Sequence, residues 1–183
     1  MKRKNWIRHV MGESLCICAI ILMSVTVYAA DPYLSYGCQS SSITVKPYAS
    51  KYNDVWVSIL NHGRSAWNNS SAKVNISVSS NSKNTIVAGN YSESWYGLNT
   101  QTYNTSTGYT SKFTIQINSR TISDDASDFN NFAQSTVAHE FGHCFWLCDN
   151  PSTSKASLMK HTRNRNTMTI PQSFDIHNVN AKY

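Results

Sequence analysis

The sequence predicts an α+β fold, because helical and strand periodicities occupy separate stretches of the chain. Apolar residues recur at helical spacing in Tyr52–Trp67. Between residues 74 and 118, short runs alternate apolar and polar side chains, as half-buried strands do. The 183 residues suit one domain once a leader is removed. A hydrophobic content of 40% excludes a disordered protein, although only 14% of the residues are charged.

Residues 1–29 have the features of a secretory signal peptide. A basic start precedes the apolar stretch Leu15–Val27, and Val27–Ala29 offers a small-residue cleavage site. The apolar stretch is shorter than the roughly 20 residues of a membrane span, which argues against the alternative of an uncleaved anchor. We therefore expect a secreted, extracellular protein whose domain covers residues 30–183 and has no membrane attachment after cleavage.

The leader also accounts for much of the positive charge. The full chain has 16 Lys and Arg against 10 Asp and Glu, a net charge of +6. The leader carries four of the basic residues and one of the acidic ones, so 12 and 9 remain and the mature net charge is +3. No run of Lys or Arg remains, so the sequence predicts no nucleic-acid partner.

The first half of the domain is predicted to contain one helix and several short strands. A strand near Ile43–Val45 precedes the helix Tyr52–Trp67, in which Gly63 is either a cost or a stop signal. Residues 91–111 are rich in Asn, Ser, Thr, Gly and Tyr, so we expect a long loop or a loose hairpin there. The remaining strands are expected at Val74–Val78, Thr85–Ala88 and Phe113–Ile117.

The second half is predicted to be mainly helical. The acidic cluster Ser123–Asp125 is suited to capping a helix from about Ala126 to Trp146, which Asp149–Pro151 would stop. A short C-terminal helix is expected around Phe174–Asn180. A further acidic group consists of Asp124, Asp125 and Asp128. No recognised calcium loop surrounds this group, so a solvated helix start is a better interpretation than a Ca²⁺ site.

Residues 139–143 read HEFGH, an HExxH motif near the end of the second predicted helix. Residues four apart lie on one helix face, so the imidazoles of His139 and His143 can converge on one Zn²⁺ ion. Glu140 directly follows the first histidine and can reach a water molecule at that metal as a general base.

A catalytic zinc ion needs a third protein ligand and one open position. The chain has no glutamate after Glu140, which excludes a glutamate from a later helix. The other arrangement returns a ligand six residues after the second histidine, and Asp149 occupies that place. The downstream rivals are His161 and His177.

The HEFGH motif, the LCDN run at residues 147–150 and the SLM run at residues 157–159 together resemble the metzincin clan of zinc peptidases, in particular its small bacterial matrixin-like members. Residues 171–181 are similar to the closing helix of that family. The resemblance spans about Tyr52 to the C-terminus. It implies a metzincin-like zincin domain: a twisted mixed β-sheet with an N-terminal helix, an active-site helix and a C-terminal helix.

The resemblance also implies an activity and a site. It implies a monomeric, secreted zinc endopeptidase that hydrolyses peptides or proteins, with His139, His143 and Asp149 as ligands and Glu140 as the base. Met159 would lie beneath the metal as the Met-turn methionine. An extended substrate would pair with an edge strand at residues 113–118, although an ordinary core strand fits the same pattern.

Two residues of the sequence need separate interpretations. His161 stands two residues after Met159, where several metzincins have a tyrosine, so it can donate to the substrate oxyanion or coordinate the metal. The alternative is a surface histidine in a basic segment.

Trp146 replaces a family glycine that usually has a left-handed backbone, which is costly for a bulky residue. Trp146 also keeps open the second hypothesis, a secreted binding or adhesion module on an inactive peptidase fold.

Three cysteines remain after the leader: Cys38, Cys144 and Cys148. In an oxidising compartment we expect one disulfide, from Cys38 to either of the other two, and one free thiol.

Overall fold

The computed structural model describes residues 31–183, in which most strands precede most helices. The fold is α+β, as the sequence predicts. The predicted signal peptide and its cleavage site lie outside the described residues. None of the described helices has the length and apolar character of a membrane span. In chain order the elements are β1 (Ser42–Val45), α1 (Asp54–Asn68), β2 (Asn75–Val78), β3 (Thr85–Gly89), β4 (Gly97–Tyr103), β5 (Thr110–Asn118), α2 (Ser119–Asp125), α3 (Phe129–Cys144) and α4 (Ser173–Lys182).

The strands form two small sheets where one twisted mixed sheet was expected. β1 and β2 pair in parallel, and the second sheet has the order β3-β5-β4, with β3 parallel and β4 antiparallel to β5. Asn84 joins the two sheets. Its carbonyl accepts from Lys46 N at 2.9 Å, and its side-chain amide donates to Thr44 O at 2.9 Å. Its Oδ1 accepts from Phe113 N at 3.0 Å, at the start of the buried part of β5.

The prediction of an edge strand at residues 113–118 is wrong, because β5 is the central strand of its sheet. The edge strands are β3 and β4, and the sequence predicted β4 only as a loop or loose hairpin. β4 is partly exposed along its whole length, so it needs no regular apolar face and has none. β5 instead buries Phe113, Ile115 and Ile117.

Helices α1 and α3 pack closely at Gly63. A Cβ atom at Gly63 would collide with the side chain of Val137 in α3, so the glycine permits this approach and does not stop the helix. Close by, Trp67 Nε1 donates to the Ala138 carbonyl at 2.8 Å, and Trp67 is fully buried. α1 thereby fixes the position of α3 in the core.

The acidic cluster at residues 123–125 does not cap the long helix, so the prediction of a cap at these residues is wrong. Asp124 and Asp125 end α2, where Asp124 pairs with Arg120 at 3.4 Å and Asp125 accepts from Tyr96 Oη at 2.6 Å. The N-cap of α3 is Asp128, whose side chain accepts from Asn131 N at 2.9 Å. Both α2 carboxylates therefore have protein partners, and nothing in the described residues indicates calcium.

Helix α3 ends at Cys144, earlier than predicted, in a reversal of the Schellman type. Leu147 N donates to Gly142 O at 3.1 Å and Trp146 N donates to His143 O at 3.3 Å. Trp146 occupies the left-handed position of this motif, with a φ of 73°. The tryptophan therefore adopts the left-handed backbone that glycine usually adopts at this position of the motif.

The Trp146 side chain is held on several sides. Its ring packs on Gly37, where a Cβ atom would lie only 2.6 Å from the nearest ring atoms. Its Nε1 donates a hydrogen bond to Cys38 O at 3.0 Å. Tyr109 meets the ring edge-on at 6.2 Å, and Lys182 Nζ lies 4.9 Å from the ring centre. These contacts offset the backbone strain, which costs roughly 1–2 kcal/mol.

All three cysteines are free thiols in the structure, so the expected disulfide is not formed in it. Cys38 and Cys144 are buried side by side, and Cys38 N donates to Cys144 O at 2.8 Å. Burial and the adjacent Cys38 raise the pKa of Cys144. Both pack as small apolar groups. Cys148 instead donates to Asp31 O at 3.2 Å, so the arrangement favours Cys144 as the partner of Cys38.

Replacing Trp146 by glycine will destabilise the protein less than replacing it by alanine. Both variants lose the ring contacts, but only glycine suits the positive φ, so Trp146→Gly should be the more stable by about 1 kcal/mol. Urea unfolding of both variants measures the difference. Ser58→Gly and Ser58→Ala in α1 are the matched control pair. At this exposed helical position the alanine variant should be the more stable of the two. A less stable Trp146→Gly would contradict the assigned backbone strain.

Candidate metal centre

Helix α3 presents His139 and His143 one turn apart on its inner face. The two ring centres are 4.8 Å apart, and the residues are only 6% and 8% exposed. The ligand atoms of His139, Glu140 and His143 all lie within 4.8 Å of one another. The HExxH spacing therefore brings its three polar side chains together.

Backbone carbonyls fix the orientation of both imidazoles. His139 Nδ1 lies 3.0 Å from Leu158 O, and His143 Nδ1 lies 2.8 Å from Leu147 O. A carbonyl oxygen only accepts, so each Nδ1 must carry a proton and donate it. Burial lowers the pKa of His139 to about 3 and also lowers that of His143, which favours the neutral form of both rings. Each Nε2 is then an unprotonated lone pair.

The two carbonyls are themselves held in place. Leu147 follows the helix reversal at Trp146. Leu158 is fixed by the buried carboxylate of Asp175 in α4, which accepts from Leu158 N at 2.7 Å and from Ser157 Oγ at 2.6 Å. Asp175 also accepts from Gln172 N at 2.8 Å in the capping box of α4. The C-terminal helix thus orients a histidine of the site through the 157–159 turn.

The chain reversal after α3 returns Asp149 to the histidines, as the spacing predicts. Asp149 Oδ1 lies 3.0 Å from His139 Nε2, and Oδ2 lies 3.7 Å from His143 Nε2. Donors bound to one zinc ion at about 2.0–2.1 Å stand about 3.3 Å apart at tetrahedral angles. The spacing of the three groups fits such an ion.

These three groups face one another as acceptors. Two imidazole lone pairs and a carboxylate converge, and none of them carries a proton to share with the others. Such an arrangement is electrostatically unfavourable unless a cation lies between its members. The donor set of two nitrogens and one oxygen, with carbonyls behind the imidazoles, is typical of zinc.

Glu140 lies beside this set and points into the same cleft. Its Oε2 is 4.0 Å from His143 Nε2, and the residue is only 4% exposed. Burial, with the charge of Asp149, raises the pKa of Glu140 to about 8. Gly97 of β4 leaves room for the carboxylate, because a Cβ atom there would collide with it. A carboxylate with a pKa near neutrality can both accept and release a proton.

His161 also reaches the centre, which the sequence left open. Its Nε2 lies 3.2 Å from Asp149 Oδ1, and its side chain is 60% exposed. Met159 is buried and packs against Gly142 of α3, where a Cβ atom would lie 2.6 Å from its sulfur. Five of the six residues that the sequence predicted for the site therefore line one cleft, and the sixth, Met159, packs against the helix that carries the histidines.

The cleft around these residues has walls that the sequence did not predict. Asn99 and Gln101 of β4 line it, and their amides donate to Glu140 O at 2.7 Å and His143 O at 3.0 Å. Tyr36 lines it from the N-terminal segment and stacks on Tyr103 at 4.4 Å. Arg163 and Arg165 line it too. Their closeness in sequence to His161 is the signal for this position, although the same pattern also fits an exposed basic segment.

Comparisons with known proteins add a likeness in fold. No known protein family matches the chain, and no curated protein matches it either. Among solved structures the chain is similar to one described as the GM1-bound form of the ECX AB5 holotoxin. That match has 12% sequence identity and a TM-score of 0.53, and it covers 84% of this chain and 85% of that one. At this identity the likeness concerns the fold alone.

Replacing Asp149 by alanine will sharply lower the zinc content. We expect about one zinc ion per chain for the unaltered protein after equilibrium dialysis, and much less for Asp149→Ala, because one of three protein ligands is lost. Elemental analysis measures the content. Asp54→Ala removes an exposed carboxylate from α1 and is the control. Full zinc content in Asp149→Ala would exclude Asp149 as a ligand.

Proposed function

We propose that this protein is a secreted zinc endopeptidase of the metzincin type. The observation that carries the proposal is the convergence of His139, His143 and Asp149 as three acceptors, with the buried carboxylate of Glu140 beside them. This is the arrangement of a catalytic zinc site with three protein ligands and an adjacent base. The Met-turn packing and the α+β fold support the same class.

Each group in the site has a distinct role in this proposal. A zinc ion held by His139, His143 and Asp149 would supply Lewis acidity, which makes a water molecule acidic and polarises a peptide carbonyl. Glu140 would accept the proton from the attacking water and pass it to the leaving amine. Its burial at the wall of the cleft keeps the carboxylate beside the histidines for both transfers. The carbonyls of Leu158 and Leu147 keep the imidazoles aligned throughout.

The edge strand β4 is the proposed docking site for an extended peptide. One side of β4 pairs with β5, and the other side borders the cleft above α3. The amides of Asn99 and Gln101 anchor the strand to the backbone of α3 beside the histidines. A substrate that adds a strand here would therefore pass directly over the metal-binding residues.

One observation favours a second candidate, a binding or adhesion module with a structural metal. His161 Nε2 stands at a tetrahedral spacing from Asp149 Oδ1, so His161 can serve as a fourth protein ligand. Four protein ligands would close the site and leave no position for substrate. The 60% exposure of the His161 side chain favours the open site, because an exposed side chain can move to face substrate.

Removing the carboxylate of Glu140 should abolish turnover and leave zinc in place. Glu140→Gln keeps the shape of the side chain but cannot accept a proton, so we expect about a 10²- to 10⁴-fold loss in kcat on casein-derived peptides. Zinc content is measured on the same samples. Glu93→Gln, an exposed carboxylate outside the cleft, should behave like the unaltered protein. Near-normal hydrolysis by Glu140→Gln would contradict the proposed base.

Replacing His161 by alanine separates the two candidate functions. In the open site His161 is a hydrogen-bond donor, so His161→Ala should keep zinc and lose about 10- to 1000-fold in turnover. Loss of zinc together with turnover would show that His161 is a ligand. Full zinc and full turnover would remove His161 from the site. His177→Ala, on the exposed side of α4, is the matched histidine control.

A further inference from the structure

Two arginines line the cleft without a carboxylate partner. Among residues 31–183, neither Arg163 nor Arg165 forms an ion pair, and the one Arg–carboxylate pair is Arg120 with Asp124. Arg163 is only 8% exposed. A buried guanidinium is rarely left without a counter-charge, because its desolvation is costly. The carboxylates of Glu140, Asp149 and Asp175 attract Arg163 only from beyond ion-pair distance, so its guanidinium has no directly bonded counter-charge.

The two guanidinium groups are oriented by different contacts. Arg163 donates from Nε to Ser135 Oγ at 3.3 Å and from Nη1 to Lys160 O at 2.9 Å. No hydrogen bond within the described residues engages its Nη2. Arg165 donates to His161 O at 3.1 Å, and its guanidinium lies 4.9 Å from the ring centre of Tyr96. Both groups are fixed at the cleft and still have donors free.

The arginines are not needed to balance the acids of the metal site once zinc is bound. A bound Zn²⁺ would favour the ionised form of Glu140, and its charge would then equal that of the two carboxylates that line the cleft, Glu140 and Asp149. The one further carboxylate that acts on Arg163 is the buried Asp175, which offsets a single positive charge and leaves the pair of arginines in excess. An anion from outside the protein would remove this unfavourable charge.

The position of the arginines defines where such an anion would lie. Ser135 and Phe132, which contact Arg163 and Arg165, precede His139 in α3 by about one and two turns, or roughly 6 and 10 Å along the helix. An extended peptide advances about 3.3–3.6 Å per residue. A side chain within about three residues of the reacting bond therefore reaches the two guanidinium groups.

We propose that the cleft selects peptides with an aspartate or glutamate side chain on this side of the cleaved bond, and that Arg163 and Arg165 bind its carboxylate. The inference names the substrate class of the proposed peptidase and rests on that function. Planar guanidinium groups bind carboxylates through paired hydrogen bonds, which gives selectivity over the uncharged amide of the same shape. Both arginines are therefore specificity-determining residues.

Matched peptides test the proposal. Cleavage sites are first mapped by mass spectrometry on a mixed peptide pool, where Asp and Glu should be enriched at one defined position. Two quenched fluorescent peptides that differ only by Glu or Gln at that position are then compared. We expect kcat/KM to be about ten- to a hundred-fold higher for the Glu peptide.

Variants assign the preference to the arginines. Arg165→Gln should bring the Glu-to-Gln ratio close to one, and Arg165→Glu should favour a peptide with Lys at that position. Lys73→Gln, which removes a charge from an exposed site outside the cleft, should keep the ratio of the unaltered protein. Arg163→Lys keeps a buried charge but loses the planar group, so the ratio should fall in part.

The outcomes separate this inference from the proposed function. Turnover with equal rates for the Glu and Gln peptides overturns the inference and leaves the peptidase standing. An equal loss on both peptides in Arg165→Gln overturns it as well, since it indicates a structural role. If no peptide is cleaved, the peptidase proposal fails. Fluorescence anisotropy with the same peptides then decides whether the cleft still recognises a carboxylate. Tighter binding of the Glu peptide that Arg165→Gln abolishes supports carboxylate recognition, and equal binding refutes it.

Discussion

The arrangement of the fold depends on the convergence of three buried or half-buried acceptors with no proton between them. His139 and His143 use their only protons on the carbonyls of Leu158 and Leu147, so both Nε2 lone pairs face the carboxylate of Asp149. These atoms repel one another without a cation, and their spacing suits one between them. The surrounding elements can be understood as the means of holding it together.

Two supports hold the acceptors from opposite sides. The reversal after α3 brings Leu147 and Asp149 back to the helix, and its left-handed residue is a tryptophan that the N-terminal segment and the β4–β5 hairpin pack against. On the other side, Asp175 caps its own helix and at the same time fixes the 157–159 turn beneath the site. The site therefore depends on segments far apart in sequence, and strain at Trp146 is balanced by tertiary contacts.

The parts of the site that follow from helix geometry were predictable from sequence. The HExxH spacing places two imidazoles on one face whatever surrounds them, and the absence of later glutamates leaves Asp149 as the candidate at the right distance. β4 was missed because a polar edge strand has no apolar alternation. The position of Arg163 in the cleft could not be predicted, because its burial results from tertiary packing that its polar neighbours in sequence do not indicate.

The central claim is that the acceptors bind zinc, and the zinc K-edge absorption spectrum of the purified protein tests it most directly. The account predicts a first shell of imidazole nitrogens and carboxylate oxygen at about 2.0–2.2 Å, with no sulfur. Cys38 and Cys144 are buried together in the core and the thiol of Cys148 donates to Asp31 O, so sulfur ligation would require a different arrangement. A sulfur shell at about 2.3 Å, or a protein that binds no zinc, would contradict the account.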